Sequence, residues 1–391
     1  MEYNFDSLIN RMGTNSLKWD YVNTIFNKED VLPLWVADMD FKCAEPIIKA
    51  IEERAKHGIY GYTGNPESYY NSIINWMKKR HGWEIKKSWI AHSPGIVPGI
   101  NMCVLAYSNP GDKILVQSPV YFPFFSAIEN HKRILVNSPL KLVHEKYYMD
   151  FKDLESKFKA GVKLMILCNP HNPVGRVWSL EELKLLGDLC IKYNVTIISD
   201  EIHSDLIYPS YKHISIASIS EELALRTVTC IAPSKTFNIA GLATATLIIP
   251  SEELLNKYNA VLNNLGISMC NTFGVTALEA AYTHGEDWLG QLIIYLEGNM
   301  KFLDHFLKTR IPKIKLIPPE GTYLAWLDCR DLDFNAEELK NFMIHKAGVG
   351  LNNGIEFGYG GEGFQRMNIA CPREVLEKAL TRIEAAINTL K

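Results

Sequence analysis

The chain has 391 residues, 47% hydrophobic and 22% charged, with 44 acidic against 41 basic side chains and a formal net charge of −3. That length and apolar content supply a large core and predict two domains, while the slight acidic excess argues against a nucleic-acid partner. No segment reaches the roughly 18 consecutive apolar residues of a membrane span.

The first six residues carry neither a basic nor an apolar segment, so they do not read as a secretory signal, and a cytoplasmic protein is expected. Up to Cys43 no long helical period appears. Residues 35–41 mix apolar side chains with Asp38 and Asp40 and predict an arm packed on the body through Trp35 and Phe41. Helix signals begin at Ala44: Pro46 in the first turn, apolar residues at Ile47, Ile48 and Ile51, and Gly58 as the stop. A turn-rich link, residues 60–64, leads to a second helix opened by Asn65-Pro66 and closed by His81-Gly82. Residues 93–99, rich in Pro and Gly, precede the apolar stretch from Ile100 to Tyr107 and read as a loop opening a helix. Free N–H groups and the positive dipole end there suit a phosphate.

A short strand over residues 112–116 is followed by Tyr121, Phe122, Phe124 and Phe125, aromatics that by composition read as core. The apolar run 162–168 then enters residues 169–176, too rich in Pro and Asn to continue as sheet. Ser179 and Glu182 form a capping box ahead of Leu183, Leu186 and Leu189. The next strand, 195–199, ends in Asp200-Glu201-Ile202-His203. Both polar clusters therefore lie at the carboxyl ends of apolar strands, where open α/β sheets bind ligands. Asp200 can also be read as a helix cap.

After the strand 227–231 comes Lys235, between that strand and a glycine-containing turn. A lysine leaving a strand is partly desolvated, which lowers its pKa and frees the amine to attack an aldehyde; a solvated, inert lysine is the alternative. Residues 251 to about 310 are helical in pattern. The remainder alternates short strands (316–317, 322–327, 367–370) with helices (335–346, 372–390), as a small α+β domain does. The alternation upstream predicts an α/β fold with a mainly parallel sheet flanked by helices. The 8 cysteines are scattered without a C-x-x-C pair and read as reduced core residues.

Residues 169–175, residues 199–203 and Ser234-Lys235, in that order and spacing, resemble the fold-type I pyridoxal-phosphate enzymes of the class I/II aminotransferase superfamily. Residues 33–41, 60–64, 119–123 and 200–206 resemble its MalY/PatB-like branch, the cystathionine β-lyases and cysteine carbon–sulfur lyases. The resemblance runs from about Asp6 to the C-terminus. It implies a large domain over residues 44–285, with residues 1–43 and 286–391 forming an N-terminal arm and a small C-terminal domain.

The resemblance also implies roles. Pyridoxal 5'-phosphate is the expected cofactor, held covalently by Lys235, which then removes the Cα proton of an amino-acid substrate. Asp200 pairs with the pyridine nitrogen, Asn172 bonds the phenolic oxygen, and Tyr121 stacks on the ring; Tyr121 or the protonated Lys235 assists the leaving group. His203 lies nearby, where many relatives carry tyrosine; an ordinary surface histidine is its alternative. Ser234 and the N–H groups of Ile96 and Val97 hold the phosphate, with Tyr62 arriving from a neighbouring subunit of a homodimer with shared sites. Arg366 grips the substrate α-carboxylate with its planar fork, an arginine at a strand edge being the alternative. The implied reaction is β-elimination from L-cystathionine or an S-substituted cysteine, within methionine biosynthesis. An aminotransferase using the same residues is second, and a regulatory binding protein on this fold is third.

Overall fold

The computed structural model describes residues 2–390. Helix α1 (Glu45–Lys56) takes Pro46 into its first turn and stops before Gly58 at φ +75°, and α2 (Glu67–His81) ends on Gly82 at φ +67°. Both stops use glycine for a left-handed backbone that other residues adopt at a cost. Helix α3 (Ile96–Tyr107) begins at Ile96 rather than at Ile100, because Pro98 is tolerated in a first turn that needs no N–H from it. The expected capping box forms in full at α4 (Leu180–Lys192).

The main sheet contains β1 (Ile90–Ser93), β2 (Lys113–Val116), β3 (Ile134–Asn137), β4 (Val162–Cys168), β5 (Thr196–Asp200), β6 (Thr227–Ile231) and β7 (Ala245–Ile248). Its order is β1-β7-β6-β5-β4-β2-β3, with β7 alone running against the others. Alternate side chains of a strand point to opposite faces. In β4, Leu164, Ile166 and Cys168 join a core with Ile100 and Val104 of α3, while Met165 and Leu167 join another with Leu183 and Leu186 of α4. Burial on both faces is why β4 reads as a continuous apolar run.

Helices α5 (Pro233–Thr236), α6 (Thr272–His284) and α7 (Glu286–Arg310) follow, and then an antiparallel sheet of β8 (Lys315–Ile317), β9 (Leu324–Asp328), β10 (Asn352–Asn353) and β11 (Phe364–Asn368). Its order is β8-β9-β11-β10, and α8 (Arg373–Ile387) closes the chain. Strand β9 starts later than expected because Thr322 sits at φ +70° and its hydroxyl accepts the Leu324 N–H at 3.1 Å. Strand β11 ends earlier because the Asn368 side chain accepts from Ala370 N at 2.8 Å, a local turn.

The arm pairs Leu32–Pro33 in parallel with Val349–Gly350. A buried charge cluster pins its next segment: Lys18 donates to Asp40 at 2.7 Å, Trp19 Nε1 to Asp40 at 2.9 Å, and Arg11 bridges Asp38 and Asp40 at 2.6 and 2.7 Å. No described helix is long and apolar enough to cross a membrane.

Candidate active site

Strand register gathers the site. Cys168 is level with Asp200, and Asp200 with Cys230, so the chain leaves β4, β5 and β6 at one edge of the sheet. Ser93 at the end of β1 lies opposite Ala245 at the start of the reversed β7, which brings the α3 N-terminus and Thr244 to the same edge. The loops enclose a cavity of about 210 Å³ lined by Ile96, Val97, Tyr121, Asn172, Asp200, His203, Ser234 and Lys235. Arg366 stands behind this wall. Tyr62 is 94% exposed, and its own chain does not bring it to the cavity.

Lys235 Nζ donates to the Ala37 carbonyl of the arm at 2.6 Å. Burial, then the nearby Arg366 charge, brings its pKa down to about 8, against the pull of Asp38 and Asp200. Lys235 is thus half-buried and hydrogen-bonded rather than freely solvated. Asp200 is buried and accepts the Ile202 N–H at 3.2 Å, with no cation bonded to it among the described residues. Burial, with a smaller push from Glu201, raises its acid to about 7, opposed by the Ile202 N–H and Lys235. No helix starts at Asp200-Glu201, so Asp200 is not a cap.

His203 is buried, which corrects the surface alternative. Burial, then the charges of Lys235 and Arg366, brings its pKa down to about 3, so the imidazole is neutral at neutral pH. Its Nδ1 finds no hydrogen-bond partner among the described residues. Tyr121 packs against Phe122 and Phe124, with centroids 5.3 and 5.8 Å away, and burial raises its phenol pKa against the opposing Arg366 charge.

Arg366 lies on β11 between β9 and β10, not on an edge. Its guanidinium donates to Asn172 Oδ1 at 3.0 Å, Asn352 Oδ1 at 2.6 Å and the Trp35 carbonyl at 3.1 Å, and it covers the Phe357 ring at 4.9 Å. Burial lowers its pKa to about 10, against Tyr121, Glu356 and Tyr323. Its Nε has no partner among the described residues. Asn172 thus spends its oxygen on Arg366 and keeps its amide nitrogen for the cavity.

At α3 the first backbone bond is Gly99 N to Gly95 O at 3.0 Å, and Pro98 has no N–H, so the Ile96 and Val97 donors are left over. Beside them in the wall are the Ser234 side chain and Thr244, whose buried hydroxyl lacks a partner among the described residues. Sequence reasoning missed Thr244, Cys168 and the Ala37 carbonyl. Cys168 was legible as the residue just before Asn169, whereas Thr244 follows the lysine turn with no polar neighbour to mark it.

These leftovers form a set. An unpaired carboxylate, an amide nitrogen, an aromatic ring, a desolvated amine and a cluster of N–H and hydroxyl groups fit the ring nitrogen, phenolic oxygen, ring face, aldehyde and phosphate of pyridoxal phosphate. Comparison with known proteins agrees. The family model for aminotransferase class I and II matches residues 29–383. Cystathionine β-lyase PatB of Bacillus subtilis (strain 168) is 46% identical over 386 residues, covering 98% of this chain and 100% of PatB. A pyridoxal-phosphate-bound protein of Clostridium difficile 630, provisionally called an aminotransferase, superposes with a TM-score of 0.97 at 47% identity, covering 99% of this chain and 100% of that one. The pyridoxal-phosphate-bound C–S lyase of Staphylococcus hominis superposes with a TM-score of 0.93 at 38% identity over 99% and 98%. The chain belongs to the class I and II aminotransferase family.

Proposed function

We propose that this protein is a pyridoxal-phosphate-dependent carbon–sulfur β-lyase that cleaves L-cystathionine or an S-substituted L-cysteine to a thiol, pyruvate and ammonia. The observation that carries the reading is the 46% identity to a cystathionine β-lyase across 98% of the chain, joined to a cavity whose polar groups suit the cofactor. When bound, pyridoxal phosphate supplies an aldehyde for the substrate amine and a ring that draws electrons from Cα.

The chain's residues do the rest. Lys235, with a pKa brought down to about 8, is neutral far more often than an ordinary lysine near neutral pH and takes the Cα proton. The Asp200 carboxylate, which lacks a cation, keeps a proton on the ring nitrogen by charge attraction. Asn172 donates its amide N–H to the phenolic oxygen, while Ser234 and the Ile96 and Val97 N–H groups bind the phosphate. Arg366 meets the α-carboxylate, and its spare Nε–H is one donor for it. His203 stays uncharged beside the site and adds no competing cation. The departing sulfur is a thiolate whose conjugate acid has a pKa of about 8.5 in free cysteine, so Tyr121 or the protonated Lys235 needs to give it little help.

Tyr62 completes the phosphate site of a neighbouring subunit in a homodimer, a role supported by its exposure on residues 60–64. The large domain spans residues 44–285, and residues 1–43 with 286–391 make the arm and small domain; the strands of the main sheet lie within 90–248 and those of the small sheet within 315–368. Homocysteine, the thiol that cystathionine releases, supports a place in methionine biosynthesis.

Pyruvate release from L-cystathionine without added keto acid tests the reading. A lyase sustains many turnovers. A halt after one turnover, relieved by a keto acid, would instead establish the aminotransferase that the C. difficile relationship suggests.

A further inference from the structure

Helix α5, which carries Lys235, is only four residues long, so its own hydrogen bonds cannot hold the lysine rigidly. What braces it lies behind the cavity. Thr236 is fully buried, and its hydroxyl donates to Asp205 Oδ2 at 2.8 Å. The other oxygen of the same buried carboxylate accepts Trp76 Nε1 at 3.1 Å and lies 3.0 Å from His81 Nε2, while Arg80 donates to the Asp205 carbonyl at 3.0 Å. Trp76 is itself stacked on Tyr282, with centroids 5.1 Å apart. The His81 hydrogen bond and the nearby Arg80 charge outweigh burial and hold the Asp205 acid below its ordinary value, so the acceptor stays ionised.

We propose that Asp205 is a positioning residue for the reaction: through Thr236 it fixes the backbone of Lys235 while the Ala37 carbonyl holds the amine. The hydroxyl of Thr236 is the link, and the α2 residues Trp76 and His81 are the rigid base. A displacement of about 1 Å at a reacting group is enough to cost up to 100-fold in rate.

The proposal rests on Lys235 as the reacting amine, which borohydride reduction and peptide mapping of the holoenzyme test separately. Thr236→Val keeps the side-chain shape and removes the hydroxyl. It is expected to lower kcat about tenfold with KM little changed, and Thr236→Ser to restore kcat to within about threefold. In cofactor-free protein, the pH midpoint for acylation of Lys235 should move up in Thr236→Val toward the ordinary lysine value of about 10.4. Asp205→Asn combined with Thr236→Val should be no worse than the worse single variant, as expected for residues acting through one contact. Wild-type kcat and midpoint in Thr236→Val, a loss that Ser does not rescue, or additive losses would overturn it. Should Asp205→Asn fail to fold, the two Thr236 variants decide.

Discussion

In the arm, Lys18 is fully buried yet lies 2.7 Å from Asp40, which also takes Trp19 and Arg11. In the cavity, Lys235 bonds a backbone carbonyl and Asp200 a single N–H. Burial acts on both clusters, but the outcomes are opposite. Burial pushes the Asp40 acid up, and Lys18, Trp19 and Arg11 together more than reverse it, so Asp40 sits below its ordinary value. Asp200, without such partners, rises to about 7, and Lys235 falls to about 8. Buried charges paired within the chain hold the arm in place, whereas charges left unpaired mark a candidate ligand site.

Replacing one lysine from each cluster should separate these roles. Lys235→Ala is expected to lower kcat at least about 10³-fold, the scale of a lost general base, with no loss of thermal stability and no covalent cofactor on reduction. Turnover assay, calorimetry and peptide mapping check the three parts. Lys18→Ala should do the reverse and destabilise the fold, by up to about 3 kcal/mol in urea unfolding, because it removes one of the two cations paired with the buried Asp40 and leaves Arg11 alone to balance it. That pair's contribution is fully present above the unfolded carboxylate value of 3.8 and is lost as pH falls through the lowered folded value.

Arg366→Ala tests a buried cation that bonds only neutral groups. It should weaken binding of amino acids by about 1.5–3 kcal/mol, the scale of a charge-assisted hydrogen bond, and leave binding of amino-acid amides much less affected. Equal loss for both would make Arg366 purely structural.

Asp200→Asn sharpens the contrast through stability. With its folded pKa near 7 against 3.8 unfolded, Asp200 makes cofactor-free protein less stable as pH rises between those values. The variant lacks that decline, so at pH 8 it should be more stable than the parent by about 1–3 kcal/mol, with the gain absent near pH 4. Cofactor should reverse the order, since it gives the carboxylate its partner. The smallest effect is expected at the exposed pair of Lys257 and Glu253: Lys257→Ala should leave the urea-unfolding midpoint unchanged.

Local patterns in the chain determined much of this protein. Apolar runs that stop at Cys168, Asp200 and Ile231 mark strands buried on both faces, and polar residues at their ends mark the ligand edge, because a ligand crevice needs backbone and side chains free of the sheet. Helix limits at Pro46, Gly58, Gly82 and Ser179 were equally legible, since each residue has a conformational or hydrogen-bonding preference of its own. Lys235, Asp200 and Asn172 could be picked out on these grounds and by resemblance.

Only the tertiary structure decided the environment of those groups. The Ala37 carbonyl that holds the Lys235 amine is 198 residues away along the chain, and a carbonyl carries no sequence signal. Nor does composition distinguish His203 buried against Tyr323 from a surface histidine, or Arg366 inside a sheet from one at its edge. Asp205 enters the sequence reading only within the stretch 200–206, with no role of its own, yet α2 delivers Trp76 and His81 to it from far upstream. Burial and partnership depend on which distant segments pack together, and they set charge states that residue type leaves open.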